Sequence, residues 1–102
     1  MRARVQWKLR EEGGRTSPPA GVGEPPYAPT VRLLSPAEPW PGPVTWSLVV
    51  EKISSANDGL EWLANVYYLV DKAPSHELYA GREFELYEGG RCVATGTIVD
   101  DR

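Results

Sequence analysis

The sequence predicts an all-β fold: a small closed antiparallel β-barrel of about six strands, forming a single domain over residues 1–102. Three observations point there. Several segments alternate apolar and polar residues with the two-residue period of a half-buried strand. Ten prolines and ten glycines in 102 residues punctuate the chain with turns and leave no stretch for a long helix. A small sheet built from such strands gains by closing on itself, because closure removes its unpaired edges. Hydrophobic residues are 41% and charged residues 25%, which marks an ordinary globular chain with one modest core and not a disordered one.

Each element follows from the local pattern. In residues 3–9, Ala3, Val5, Trp7 and Leu9 fall on one face and Arg4, Gln6 and Lys8 on the other, so a strand is expected there. Residues 11–30 lose all periodicity. EEGGR holds a turn, and the prolines of SPPAGVGEPPYAPT withhold the backbone donors that a central strand needs. So long a loop is a place to look for a site; it also reads as a solvated connection anchored by Tyr27. Residues 31–34 form a short strand. Residues 35–43 hold four prolines, with Trp40 expected to plug this irregular stretch onto the core.

Residues 44–53 read as a strand with Val44, Trp46, Leu48 and Val50 on one face. Val49 and Ile53 predict partial burial of the other. Asn57-Asp58-Gly59 favours positive φ and a turn, with a short helical turn over 55–60. Residues 60–70 form a strand carrying Trp62, Ala64, Val66, Tyr68 and Val70 on one face. Leu63, Tyr67 and Leu69 on the other face predict a strand that is central or covered on both sides. Residues 71–81 are a loop. The last two strands lie within 82–99 and are joined by a tight Gly89-Gly90 turn. Phe84 and Leu86 point one way and Glu83 and Glu85 the other; small Ala94 and Gly96 mark close packing.

Composition narrows the function classes. The net charge of −3 supplies no general attraction to phosphates, whereas nucleic-acid binders are usually basic. The lone Cys92 excludes an internal disulfide and fits a reducing, cytoplasmic setting. No apolar run approaches the ~20 residues of a membrane helix, and charges interleave too closely in residues 1–10 for a signal peptide. GVGEPP at 21–26 lacks the lysine and hydroxyl of a phosphate loop, so no nucleotide is expected.

The reactive side chains form no enzyme constellation. His76, the one histidine, stands beside Ser75 and Glu77, but a catalytic triad is assembled in space and not by adjacency. One histidine and one cysteine are too few for zinc, so neither a metal nor a cofactor is expected. Arg91 is placed to lower the pKa of Cys92, although an inert thiol is the simpler reading. Glu83, Glu85 and Glu88 read as a solvated sheet face and not as an acid/base pair.

Two motifs at opposite ends of the chain carry a resemblance. EEGGR at 11–15, followed by Thr16, ends the first strand region. At 81–96, GREFELYEGGRCVATG fits Gly-x-x-Phe-x-x-x-Glu-Gly-Gly-Arg-x-Val-x-x-Gly. Together, in this order, they resemble the C-terminal β-barrel domain of bacterial elongation factor Tu. The family's histidine after the first motif is missing here, and the chain carries no counterpart of the GTPase domain. The resemblance implies a closed barrel and a binding role without catalysis. It implies contact with a tRNA-type backbone through Arg15, Glu88 and Gly89, with Arg91 beside them. An arginine forks onto a phosphate, a glycine admits a ribose, and a carboxylate accepts from a 2′-hydroxyl. The acidic balance weakens that RNA reading and favours a protein partner, for which the loop aromatics Tyr27, Trp40 and Tyr79 are the expected contacts.

Overall fold

The computed structural model describes residues 1–9, 27–34, 46–73 and 77–100. Six strands appear: β1 Arg2–Trp7, β2 Thr30–Leu33, β3 Trp46–Ala56, β4 Glu61–Tyr68, β5 Glu83–Glu88 and β6 Arg91–Asp100. They close into a barrel in the order β1-β4-β3-β2-β5-β6, and every neighbouring pair is antiparallel. The expected all-β barrel is therefore present.

Alternation builds the core. In β1 the even positions are exposed while Ala3, Val5 and Trp7 are buried. In β4, Trp62, Ala64, Val66 and Tyr68 are buried in the same way. Leu48 and Val50 of β3, Phe84 and Leu86 of β5, and Ile98 of β6 complete the packing. Trp62 meets the Trp7 ring edge-on, with centroids 4.9 Å apart and planes at 70°, a geometry that suits the ring quadrupoles. Gly96 is small for a specific reason: a methyl group there would lie less than 3.0 Å from the Phe84 ring carbons.

Three bulges interrupt the ladders of the described residues, one of them in β6 where Arg2 pairs with Asp100 but Ala3 with Ile98, so that Val99 is an extra residue. Leu86 pairs with Ala94 but Tyr87 pairs with Cys92, so Val93 is an extra residue in β6. That is why Val93 and Ala94, though adjacent, are both fully buried. In β3, Lys52 pairs with Ala64 and Ser54 with Leu63, which leaves Ile53 as the extra residue.

Several expectations are corrected. Leu9 is exposed, because the β1 ladder ends at Trp7. No helical turn forms at 55–60: Ser54, Ser55 and Ala56 continue the ladder, and a tight turn follows with Asn57, Asp58 and Gly59 at φ 53°, 56° and 85°. Ile53 is exposed and not half-covered, since the bulge turns it outward, whereas Val49 on the outer face is buried. β4 is paired on both edges, as a central strand is, but its outer face is not covered: Leu63 is half-buried, Tyr67 exposed, and Leu69 just beyond the strand exposed. A barrel strand is paired along both edges yet covered on one face only, so apolar bulk on both faces overstated its burial.

The strand directions give the barrel two distinct ends. One, the turn end, collects Trp7, the 57–60 turn and the 88–91 turn. The other, the far end, collects Met1, Leu34, Trp46, the segments after Tyr68 and before Glu83, and Asp100.

Candidate interaction surfaces at the barrel ends

At the turn end, Glu88 and Arg91 close the β5–β6 hairpin around Gly89 and Gly90, whose φ values are 58° and 83°. Two successive positive φ values twist the chain as the flanking strands require, and glycine reaches them without steric cost. Gly89 and Arg91 are exposed. Glu88 is not free: its carboxylate accepts a hydrogen bond from the Tyr27 hydroxyl. The half-buried Tyr27 ring packs on Trp7, with centroids 5.7 Å apart. Tyr27 thus anchors the chain entering β2 onto the core, and it brings Glu88 with it. Arg15 and Trp40 lie outside the described residues, as do His76 and Ser75.

On the barrel wall, Glu85 is a hub. Its carboxylate accepts from Arg32 Nη1 at 3.3 Å and from the Tyr87 hydroxyl at 3.1 Å, and the Cys92 thiol lies at 3.8 Å. Burial pushes the Cys92 thiol up, and the charge of Glu85 pushes it the same way against a smaller opposing effect of Lys8. Arg91 is not among the groups that set this shift, and the direction agrees with the reading of Cys92 as an inert thiol, a poor nucleophile. The three glutamates do not form one set. Glu83 is exposed, Glu85 belongs to this wall network, and Glu88 belongs to Tyr27. Among the described residues, no three His, Cys, Asp or Glu side chains converge as metal ligands.

The far end is different. Tyr79 is 49% exposed. Beneath it lies Arg82, only 6% exposed. The backbone is pinned on both sides: Gly81 and Arg82 exchange hydrogen bonds with Ile98 at 2.7 and 2.9 Å, and the Arg82 amide donates to the Tyr79 carbonyl at 2.9 Å. The guanidinium Nη1 donates to the Tyr79 hydroxyl at 3.2 Å, and the guanidinium carbon stands 5.3 Å from the Tyr79 ring centroid. Nε is sealed from solvent without an acceptor. No carboxylate of the described residues lies within ion-pairing distance of this arginine. Beside it, the Tyr68 phenol is pushed up to about 12, mainly by burial, next by Glu77, against the opposing charge of Arg82. The Trp46 ring meets Tyr68 edge-on, with centroids 6.3 Å apart.

Sequence reasoning passed over Arg82, although a signal was present. Phe84 and Leu86 point inward, and the two-residue period carried back one step puts Arg82 on the same inward face.

The architecture defines a class, a closed six-stranded antiparallel barrel. Beyond that class, no family model and no curated protein matches the sequence.

Proposed function

We propose that this barrel is a non-catalytic binding module, similar to the C-terminal domain of elongation factor Tu, which works in the cytoplasm and docks a protein partner through its far end. The observation that carries this is where exposed apolar bulk lies. Eight large hydrophobic side chains are exposed among the described residues, and six of them, Leu34, Tyr67, Leu69, Val70, Tyr79 and Val99, sit at or beside the far end. Such apolar groups gathered in one region favour a partner surface, whereas single scattered ones need no explanation. The turn end supports an RNA contact less well. Its exposed groups, Gly89 and Arg91, fit the implied contact, but Glu88 is already engaged by Tyr27.

The test compares the tagged protein with its Leu69→Ser, Val70→Ser variant. Both positions lie beyond β4 and are exposed, so the variant is expected to fold. The wild type is expected to retain a protein from its own cell extract that the variant releases. Filter binding of bulk tRNA at low salt supplies the contrary outcome. Binding that falls steeply with salt, survives the double substitution and is lost in Arg91→Ala would replace the protein reading with the RNA one.

A further inference from the structure

We propose that Arg82 is a receptor for a carboxylate carried by the protein partner, with Tyr79 as its displaceable cover. The inference rests on the reading that the far end docks a protein, and it names the chemistry of the contact.

A guanidinium in a protein is always charged, and burying it without a counter-charge is strongly unfavourable. Here the side chain is 6% exposed and no carboxylate of the described residues pairs with it. Its one acceptor is neutral, the Tyr79 hydroxyl. Its Nε hydrogen has none. The site thus lacks one acceptor and a directly paired anion, and a single carboxylate supplies both. Nε and a neighbouring Nη form the planar fork that binds both carboxylate oxygens. The cover is suited to moving: Tyr79 is half-exposed, and exposed side chains change rotamer within nanoseconds. The scaffold is not, since Gly81 and Arg82 are tied to Ile98 by backbone hydrogen bonds.

The surroundings select a carboxylate over a phosphate. Buried Leu78 is apolar and neutral Tyr68 stands close by, while Glu77 already places negative charge in the same region. A planar monoanion meets less repulsion and less desolvation there than a phosphate dianion.

The experiment uses the full chain labelled with nitrogen-15 and follows the Arg82 Nε–H resonance. Acetate is the probe, titrated at constant ionic strength against chloride, with inorganic phosphate as the competing arm. The Arg82 signal is expected to shift saturably with acetate at millimolar concentrations, and to respond less to phosphate. Tyr79→Phe removes the competing hydroxyl, so acetate is expected to bind about threefold more tightly. An Arg82 signal unmoved by acetate in both the wild type and Tyr79→Phe would overturn the proposal, and so would tighter binding of phosphate. If Arg82→Gln folds and binds acetate as well as the wild type, the site lies elsewhere. The two readings fail separately. An acetate response without any capture that depends on Leu69 and Val70 removes the docking surface but leaves the receptor. Such capture without an acetate response does the reverse.

Discussion

Gly96 and Phe84 share one space, and the barrel interior at that level is set by their difference in size. Gly96→Ala is expected to cost about 1–3 kcal/mol, the usual range for overpacking a filled core. A urea melt would register it as a lower midpoint, and Gly96→Ala combined with Phe84→Leu should recover most of the loss. A second consequence concerns Tyr68, whose phenol rises from 10.0 to about 12 on folding, chiefly through burial. The folded state favours the neutral phenol, so this contribution is complete below about pH 10 and is lost as the pH climbs toward 12. Denaturant midpoints measured across that window should fall less steeply for Tyr68→Phe than for the wild type. Equal slopes would mean that Tyr68 ionises alike in both states.

Among the elements, the β5–β6 hairpin states its geometry most fully in its residues. Nothing lies within 4 Å of a methyl group placed on Gly89 or Gly90, so the cost of substitution there is conformational. Gly90→Val, forced to φ 83°, is expected to lose about 1–2 kcal/mol. Gly89→Asn should lose much less, because asparagine tolerates the left-handed region. Equal losses in thermal unfolding would show that another constraint operates in the turn. This hairpin and β1 were legible because alternation and Gly-Gly are local signals. The bulges at Ile53 and Val93 were not, since an extra residue is defined only by what the partner strand does across from it. The same limit hid the outer face of β4. Apolar residues on both faces of a strand do not reveal whether anything covers the second one.

At the scale of the whole molecule, closure is uneven. Among the described residues, β3 and β4 pair over most of their length, whereas β2 and β3 share Thr30–Ser47 and Val31–Trp46 as ladder pairs, extended by backbone bonds from Leu48 and Val50. Amide hydrogens along the β2–β3 seam should therefore exchange well before those at the centre of the β3–β4 ladder; uniform protection would argue against a weak seam. The candidate site was legible only in part. Tyr79 was found as a loop aromatic, but the buried cation under it needed the inward period of β5 carried past the strand's start. The segregation of apolar groups to one end needed the topology, because Leu34, Leu69, Tyr79 and Val99 are far apart in the chain.

One further property follows from the way β1 lies against β6. The two run antiparallel, and Arg2 pairs with Asp100 at the far end, where their side chains also form an ion pair. Pulled apart by residues 2 and 100, the barrel is loaded as a zipper and not in shear. The ladder bonds then give way one after another, beginning at that ion pair. For all the closure of its sheet, the molecule should be mechanically soft along this axis and stiffer when β1 and β6 are pulled from opposite ends, which loads the same ladder in shear.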